Sequence, residues 1–359
     1  MEKQIDIIIP AYNAHNTIDK ALASIVCQNI SDKIKVTIVN DCSPNGDYSY
    51  FINKYKNELD IQELILSENH GPGYARQYGI DNTTYKYIMF CDADDMYSSP
   101  FAIHYLLEAI ESYRQEEDIV AVYAPIYEIN YYTGELISIK KATHSTWVFG
   151  SIYLREMLIN NDICFNNCSN GEDLSFNKII RTVNTESKLK IINYPTYYWT
   201  NSNPNRINTP YFQIMEGKIG FMENMIYASD FLTNHNIIRD IDSIKIDYLV
   251  TICSMYIVYC DLYTEFFAYE KLVKNDKNEI QKTISKFIQL TYNAYEKICF
   301  DGVDNISKHD YMYIFNFNEN NCEDPLFKRE YPIDFIEFVK LLEEKNLNKL
   351  KNILLTRKK

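Results

Sequence analysis

The sequence has no excess of basic residues: 36 Lys and Arg stand against 49 Asp and Glu, a formal net charge of −13. A nucleic-acid binder needs a basic surface to release counterions from phosphates, so that class is excluded. The same balance speaks against an anionic membrane, except at the basic tail Lys349–Lys351 and Arg357–Lys359. That tail reads either as a peripheral membrane contact or as a solvated helix end. Long hydrophobic runs are missing too. The longest charge-free apolar stretch of interest, Tyr248–Cys260, has thirteen residues between Asp247 and Asp261, too few to span a bilayer. The 9 cysteines are odd in number and scattered from Cys27 to Cys322 without a repeated C-x-x-C spacing, which excludes a disulfide frame and a zinc site. The start runs directly into a strand, so no signal peptide is expected. There is no convincing internal repeat and no long low-complexity linker. Together these absences lead to a soluble, cytoplasmic protein.

What is present is ordinary globular composition, 46% hydrophobic and 24% charged, over 359 residues. That length suits two domains. The first half alternates short strands with helices. Ile5–Ile9 is an isoleucine-rich run, broken only by Asp6 and ending at Pro10, as in a central strand covered on both faces. Asn16 is placed to cap a helix running to about Asn29. Further strands are expected at Lys35–Val39, Ile61–Leu66, Tyr87–Phe90 and Ile119–Tyr123, with helices at Tyr48–Leu59, at Gly73–Ile80 and from Pro100 to about Arg114. This rhythm implies an α/β fold with a doubly wound, mostly parallel sheet. Beyond Tyr211 the periodicity turns helical, with candidate helices Met215–Thr233, Ile244–Tyr269, Glu279–Ile298 and Pro332–Leu355. The expected division is 1–210 and 211–359, the first part splitting near residue 125.

Ligands of such sheets collect outside the carboxyl ends of the strands. Polar clusters lie there: Ala11-Tyr12-Asn13, Asp41-Cys42-Ser43 and Asp92-Ala93-Asp94-Asp95. A strand delivers Asp92 and Asp94 to the same side, at i and i+2. Two carboxylates so placed repel unless a divalent cation lies beside them, and hard oxygen ligands suit Mg²⁺ or Mn²⁺ with a diphosphate completing the shell. The competing reading is a solvated acidic turn. In Asn69-His-Gly71-Pro-Gly73-Tyr-Ala75-Arg76, the glycines permit a tight loop before a helix whose free N–H groups face an anion. Arg76 is placed to reach a phosphate or one of the acidic residues.

Ile7-Ile-Ile-Pro10-Ala11-Tyr12-Asn13, Val39-Asn-Asp41-Cys-Ser43, Asn69-x-Gly71-x-x-x-Ala75-Arg76-x-x-Gly79 and Asp92-Ala93-Asp94-Asp95 occur in this order at these spacings. Together they resemble the nucleotide-binding half of family 2 glycosyltransferases of the GT-A fold, a resemblance covering roughly residues 4 to 206. It implies a nucleotide-binding half (about 1–125), an acceptor half (about 126–210) and a helical C-terminal region (211–359). It also implies that Pro10, Ala11, Tyr12 and Asn13 line the nucleotide base and that Asp41 accepts a hydrogen bond from uracil. Asp92 and Ala93 would contact the ribose or sugar side, Asp94 with Asp92 would hold Mn²⁺ or Mg²⁺, and Asn69, Gly71 and Arg76 would complete the donor pocket. The family's usual Asp-Gly-Ser is Asp41-Cys42-Ser43 here, and Arg-Asn is Arg76-Gln77.

Gly171-Glu172-Asp173 resembles the family's Glu-Asp motif, whose Asp is the general base of inverting members. Chemistry asks for a carboxylate within reach of the acceptor hydroxyl, opposite the leaving diphosphate. Asp173 is the expected base and Glu172 its neighbour; capping of the following helix is a compatible role. Trp147, preceded by His144 and Ser145, sits where the family often has its acceptor-facing loop, and a core or lid position is the other reading. In Tyr197-Tyr-Trp199-Thr-Asn-Ser-Asn-Pro-Asn-Arg206, which resembles a segment closing over the donor, Arg206 is either a diphosphate clamp or a surface residue.

The resulting expectation is an inverting, metal-dependent transferase moving GlcNAc, GalNAc, glucose or galactose from a UDP-sugar to a hydroxyl on a bacterial glycan or surface protein. The C-terminal helices are expected to serve acceptor recognition, a partner or a homo-oligomer interface. A nucleotidyltransferase would need a Gly-rich basic loop after the first strand, where Ala11-Tyr-Asn-Ala-His stands instead. A catalytically inactive scaffold on the same fold is the remaining alternative.

Overall fold

The computed structural model describes residues 4–112, 119–130, 132–142, 147–167, 171–201, 211–235, 252, 255–260, 262–263, 277–299 and 332–356. The chain divides into two compact units, Met1–Asn208 and Thr209–Lys359.

The first unit is built on a seven-stranded sheet. Its strands are β1 (Ile5–Ala11), β2 (Ile34–Asn40), β3 (Asp60–Ile65), β4 (Tyr87–Phe90), β6 (Ala121–Tyr123), β9 (Ser151–Leu154) and β10 (Leu189–Ile191), in the order β10-β6-β9-β4-β1-β2-β3. All neighbours pair in parallel except β9, which runs antiparallel to both β4 and β6. The apolar runs explain the arrangement: Ile5, Ile7, Ile8 and Ile9 are fully buried, as are Tyr87–Phe90, so both faces of these strands must be covered. Helices α1 (Ile18–Val26), α2 (Ser49–Tyr55), α3 (Pro72–Asp81), α4 (Ala102–Ser112), α5 (Arg155–Asn160) and α6 (Glu172–Val183) accompany the strands. A smaller sheet has the order β5-β11-β7-β8, from β5 (Met96–Tyr97), β7 (Ile126–Asn130), β8 (Leu136–Lys140) and β11 (Tyr197–Asn201).

Several expected boundaries shift. The first helix starts after Thr17, not at an Asn16 cap, and ends at Val26; α2 stops at Tyr55. Gly79 on α3 is set hard against β1. A Cβ there would come within 2.5 Å of the Ile8 side chain, so only glycine permits this helix–strand approach.

The second unit contains helices Tyr211–Asn234 and Lys277–Cys299. Residues 252, 255–260 and 262–263, within the expected Ile244–Tyr269 helix, are helical. Its core joins Tyr259, Phe287, Phe338, Leu342 and Leu350, and Tyr259 Oη donates to the Leu350 carbonyl at 2.9 Å. The single helix expected over Pro332–Leu355 is in fact two, Phe335–Glu343 and Leu347–Leu355. Lys345 takes a left-handed φ of 54°, Asn346 N–H bonds Leu341 O, and Lys345 N–H bonds Leu342 O. That is a Schellman stop with lysine in the usual glycine position. In the basic tail, Lys349 pairs with Glu337 at 2.8 Å and Lys351 donates to Ser285 Oγ at 2.6 Å; Arg357–Lys359 lies outside the described residues. No described helix is long and apolar enough to cross a membrane.

Candidate active site

The carboxyl ends of β1, β2 and β4 carry the three polar clusters on one rim of the parallel sheet. At the first, Asn13 N–H donates to Ser43 Oγ at 3.0 Å, and Ala14 N–H donates to Tyr48 Oη at 3.0 Å, so the β1 and β2 loops are tied together. Pro10 is half-buried and Ala11 buried, while Tyr12 projects with 55% of its surface exposed. Asn13 (φ 53°) and Cys42 (φ 57°) both adopt left-handed backbone.

Asp41 is buried, and its two carboxylate oxygens accept the backbone N–H groups of His70 (2.8 Å) and Gly71 (2.7 Å). Asn69 adds a side-chain bond to the Asp41 carbonyl at 3.2 Å. Asp41 therefore shapes the loop that leads into α3, and each of its oxygens keeps a lone pair for a further donor. The two glycines of that loop have different tasks. Gly71 is needed for its φ of 88° at the helix N-cap. Gly73 is needed for space, since a Cβ there would lie 2.8 Å from Asn166 O and 3.1 Å from Glu172 Cγ.

From the first turns of α3, Arg76 runs inward and is 3% exposed. It donates through Nη2 to Asp92 Oδ1 at 2.6 Å and through Nη1 to Glu172 Oε1 at 2.7 Å. Residues from the end of β4 and the start of α6 are thus clamped by one guanidinium. Burial alone works against that charge, but Asp92, Asp173 and Glu172 more than offset it and raise the Arg76 pKa. The clamp leaves the carboxylates in excess. The Asp173 pKa is pushed up to about 8 by burial, then by Glu172 and Asp92, with Arg76 opposing.

Asp94 is half-buried on the turn after β4, and its backbone carbonyl accepts the Thr200 hydroxyl at 3.1 Å. Ala93 is buried between them. Asp95 turns inward to the Thr200 N–H and is raised well above the carboxylate range, by burial first and then by Asp94 and Asp92. Tyr197, two residues before Trp199 on β11, accepts the Asp92 N–H at 2.9 Å. Among the described residues no three His, Cys, Asp or Glu side chains converge as a closed metal cage. The donor set still fits a hard cation that takes most of its shell from substrate oxygens: carboxylate oxygens on a strand end, in a site short of positive charge.

The structure thus gathers Arg76, Asp92, Glu172 and Asp173, and anchors Asn69 and Gly71 on Asp41. Arg206, Asn170, His144 and Ser145 lie outside the described residues. Tyr197, Thr200 and Asp95 tie β11 to the acidic turn without having been singled out for it. In the sequence Tyr197 and Thr200 sit in the β-prone run Tyr197-Tyr-Trp199-Thr200, where Tyr197 and Trp199 share a face, and nothing local distinguishes Asp95 from its neighbours.

Residues 6–170 match the family model "Glycosyl transferase family 2". This segment, a little under half of the chain, is similar to family 2 glycosyltransferases. The chain is 26% identical over 209 residues to the minor teichoic acid biosynthesis protein GgaB of Bacillus subtilis, covering 54% of this chain and 22% of GgaB. It is 27% identical over 234 residues to the uncharacterized glycosyltransferase EpsJ of the same organism, covering 59% of this chain and 65% of EpsJ. It therefore spans less than two thirds of either relative. Among solved structures, S. aureus TarS 1–349 in complex with UDP-GlcNAc superposes with a TM-score of 0.58 at 15% identity, covering 91% of this chain and 97% of that one. That likeness establishes the fold, which is GT-A.

Proposed function

We propose that this chain is a family 2 glycosyltransferase that moves one sugar from a UDP-sugar, with inversion, onto an acceptor hydroxyl. The observation that carries the reading is the Arg76 clamp, which draws Asp92 at the end of β4 and the Glu172-Asp173 turn of α6 into one cluster. Donor and acceptor chemistry need these two ends side by side. Asp173 is the base: its raised pKa suits proton removal from the acceptor hydroxyl near neutral pH as the oxygen attacks the anomeric carbon. Tyr12, beside Pro10, Ala11 and Asn13, offers an exposed ring to the nucleotide base, and Asp41 keeps an acceptor for its N–H. Asn69, Gly71, Ala93 and, from outside the described residues, Arg206 complete the donor pocket.

Mn²⁺ or Mg²⁺ would be held by Asp94, with Asp92 beside it, and would supply charge neutralisation to the leaving diphosphate. Arg76 is already engaged by Asp92 and Glu172, so a diphosphate needs this second source of positive charge. UDP-GlcNAc bound to TarS supports a UDP-sugar donor, with GlcNAc, GalNAc, glucose and galactose all to be tried. The name of GgaB, a minor teichoic acid biosynthesis protein, supports a bacterial glycan as acceptor over a surface protein. We read the reaction as cytoplasmic, a reading supported by the odd number and scattered spacing of the 9 cysteines. The C-terminal region, 211–359, is read as an acceptor-recognition module, a homo-oligomer interface or a partner platform.

The test is a donor panel with UDP release as readout, in Mn²⁺ or Mg²⁺, on wild type, Asp94→Ala and Asp173→Asn. Asp94→Ala should lose hydrolysis and transfer together. Asp173→Asn should keep donor binding and lose transfer. No release from any donor, with or without cell extract as acceptor, would turn the reading to an inactive scaffold.

A further inference from the structure

The chain has 2 tryptophans, and they lie together. Trp147, on the turn leading into β9, and Trp199, in β11, have ring centroids 5.6 Å apart with planes 33° from parallel. Both are half-buried. Two sets of bonds define where they are. Asn177 stands one helical turn beyond Asp173 on α6, so the two share a face, and the Asn177 amide donates to the Trp147 carbonyl at 2.8 Å. Tyr197 and Trp199 share a face of β11, the face from which Tyr197 accepts the Asp92 N–H. Immediately after Trp199, Thr200 is bonded to Asp94 and Asp95. The pair therefore bridges the helix face bearing Asp173 and the turn bearing Asp92 and Asp94. Behind it, buried Phe149 lies nearly parallel to both Trp147 (21°) and Tyr197 (19°), which holds the platform's tilt.

We propose that Trp147 and Trp199 form a stacking platform for a pyranose ring of the acceptor, an inference that rests on the glycosyltransferase reading above. A pyranose chair has an apolar face of axial C–H bonds and a rim of hydroxyls. The indole faces take the first, since aromatic rings combine large apolar area with defined geometry. Asp173, on the adjoining helix face, takes a hydroxyl. An open-chain polyol has hydroxyls but no flat apolar face, so the acceptor unit is a cyclic sugar.

Because the pair is the whole tryptophan content of the chain, intrinsic fluorescence reads it directly. The experiment titrates full-length protein, with and without UDP and Mn²⁺, with methyl β-D-glucopyranoside, with chitobiose and with ribitol 5-phosphate as the open-chain control. The expected result is a saturable change with a cyclic sugar and none with ribitol 5-phosphate. Trp199→Leu and Trp147→Leu should abolish the response of the remaining tryptophan and raise the acceptor KM about tenfold, roughly 1.4 kcal/mol. Trp199→Phe, which keeps a flat ring, should restore most of that loss; circular dichroism checks that each variant is folded. A fluorescence response without any transfer keeps the platform and removes the glycosyltransferase reading. Transfer to a pyranoside without a response, or an equal response to ribitol 5-phosphate, overturns the platform.

Discussion

Asp95 lies beneath the acidic turn with one carboxylate oxygen accepting the Thr200 backbone N–H at 2.8 Å, while its other oxygen is buried. Burial first, then the negative charges of Asp94 and Asp92, push the pKa of a carboxyl so placed well above the usual carboxylate range. Its task is to fasten β11 to the turn, together with Thr200 Oγ1 on Asp94 O and Tyr197 Oη on Asp92 N–H.

Asp95→Asn keeps an oxygen for the Thr200 N–H and removes nothing the site uses as charge. It should fold with near wild-type stability. Asp95→Ala strands a buried N–H and should cost about 1–3 kcal/mol, read as a lower urea midpoint. A loss in the Asn variant equal to that in the Ala variant would show that charge, not the hydrogen bond, is what Asp95 provides.

Asp173 links pH to both stability and rate. Its pKa rises from 3.8 in the unfolded chain to about 8 in the folded protein, so the folded state binds the proton more tightly. The associated stabilisation is complete below about pH 4 and is lost as pH climbs towards 8. The donor-free protein should lose stability across that window, and Asp173→Asn should flatten the loss. Transfer should run the other way, increasing with pH as the base ionises. Thermal melts and kcat/KM, each taken from pH 5 to 9, check the two slopes.

Arg76 carries two bonds in different directions, to Asp92 and to Glu172. Lysine has a single ammonium and cannot serve both with planar geometry. Arg76→Lys should therefore retain partial stability with poor activity. Arg76→Met leaves buried carboxylates without their counter-ion and should cost about 3–5 kcal/mol. Adding Glu172→Gln to Arg76→Met should recover part of that loss, which a double-mutant cycle by denaturant unfolding measures.

Much of this fold is legible in the sequence. Isoleucine- and valine-rich segments mark β1 and β2, and the polar clusters at their ends mark the rim; the polar residues inside them, Asp6 and Thr37, are buried and bond each other at 3.0 Å. The antiparallel insertion of β9 was not legible. Its four residues, Ser151–Leu154, are too few to show a period, and direction within a sheet leaves no local trace. Nor was the break at Lys345, since a Schellman stop made with lysine lacks the glycine that usually announces it. The Arg76–Glu172 pair spans 96 positions in sequence, and pairings at that distance depend on the assembled sheet. Asp95 shows a related blindness: adjacent aspartates look alike in sequence, and only burial separates the one that turns inward.

Cys42 adopts a φ of 57°, a left-handed backbone that favours glycine. A side chain in left-handed backbone brings Cβ against the following carbonyl, at a cost of about 1–2 kcal/mol. Cys42→Gly should relieve it and raise the urea midpoint by the equivalent of about 1 kcal/mol, less what the chain loses in unfolded-state entropy. Cys42→Ala retains the Cβ and should give no such gain, which separates backbone strain from any effect of the thiol on Ser67 O, 3.6 Å away. Gly71→Ala provides the opposite control. With φ at 88° and nothing within 4 Å of a new Cβ, its penalty is conformational alone, and it should lower stability while leaving the surrounding packing intact. If Cys42→Gly and Cys42→Ala melt together, the strain assigned to this position is wrong.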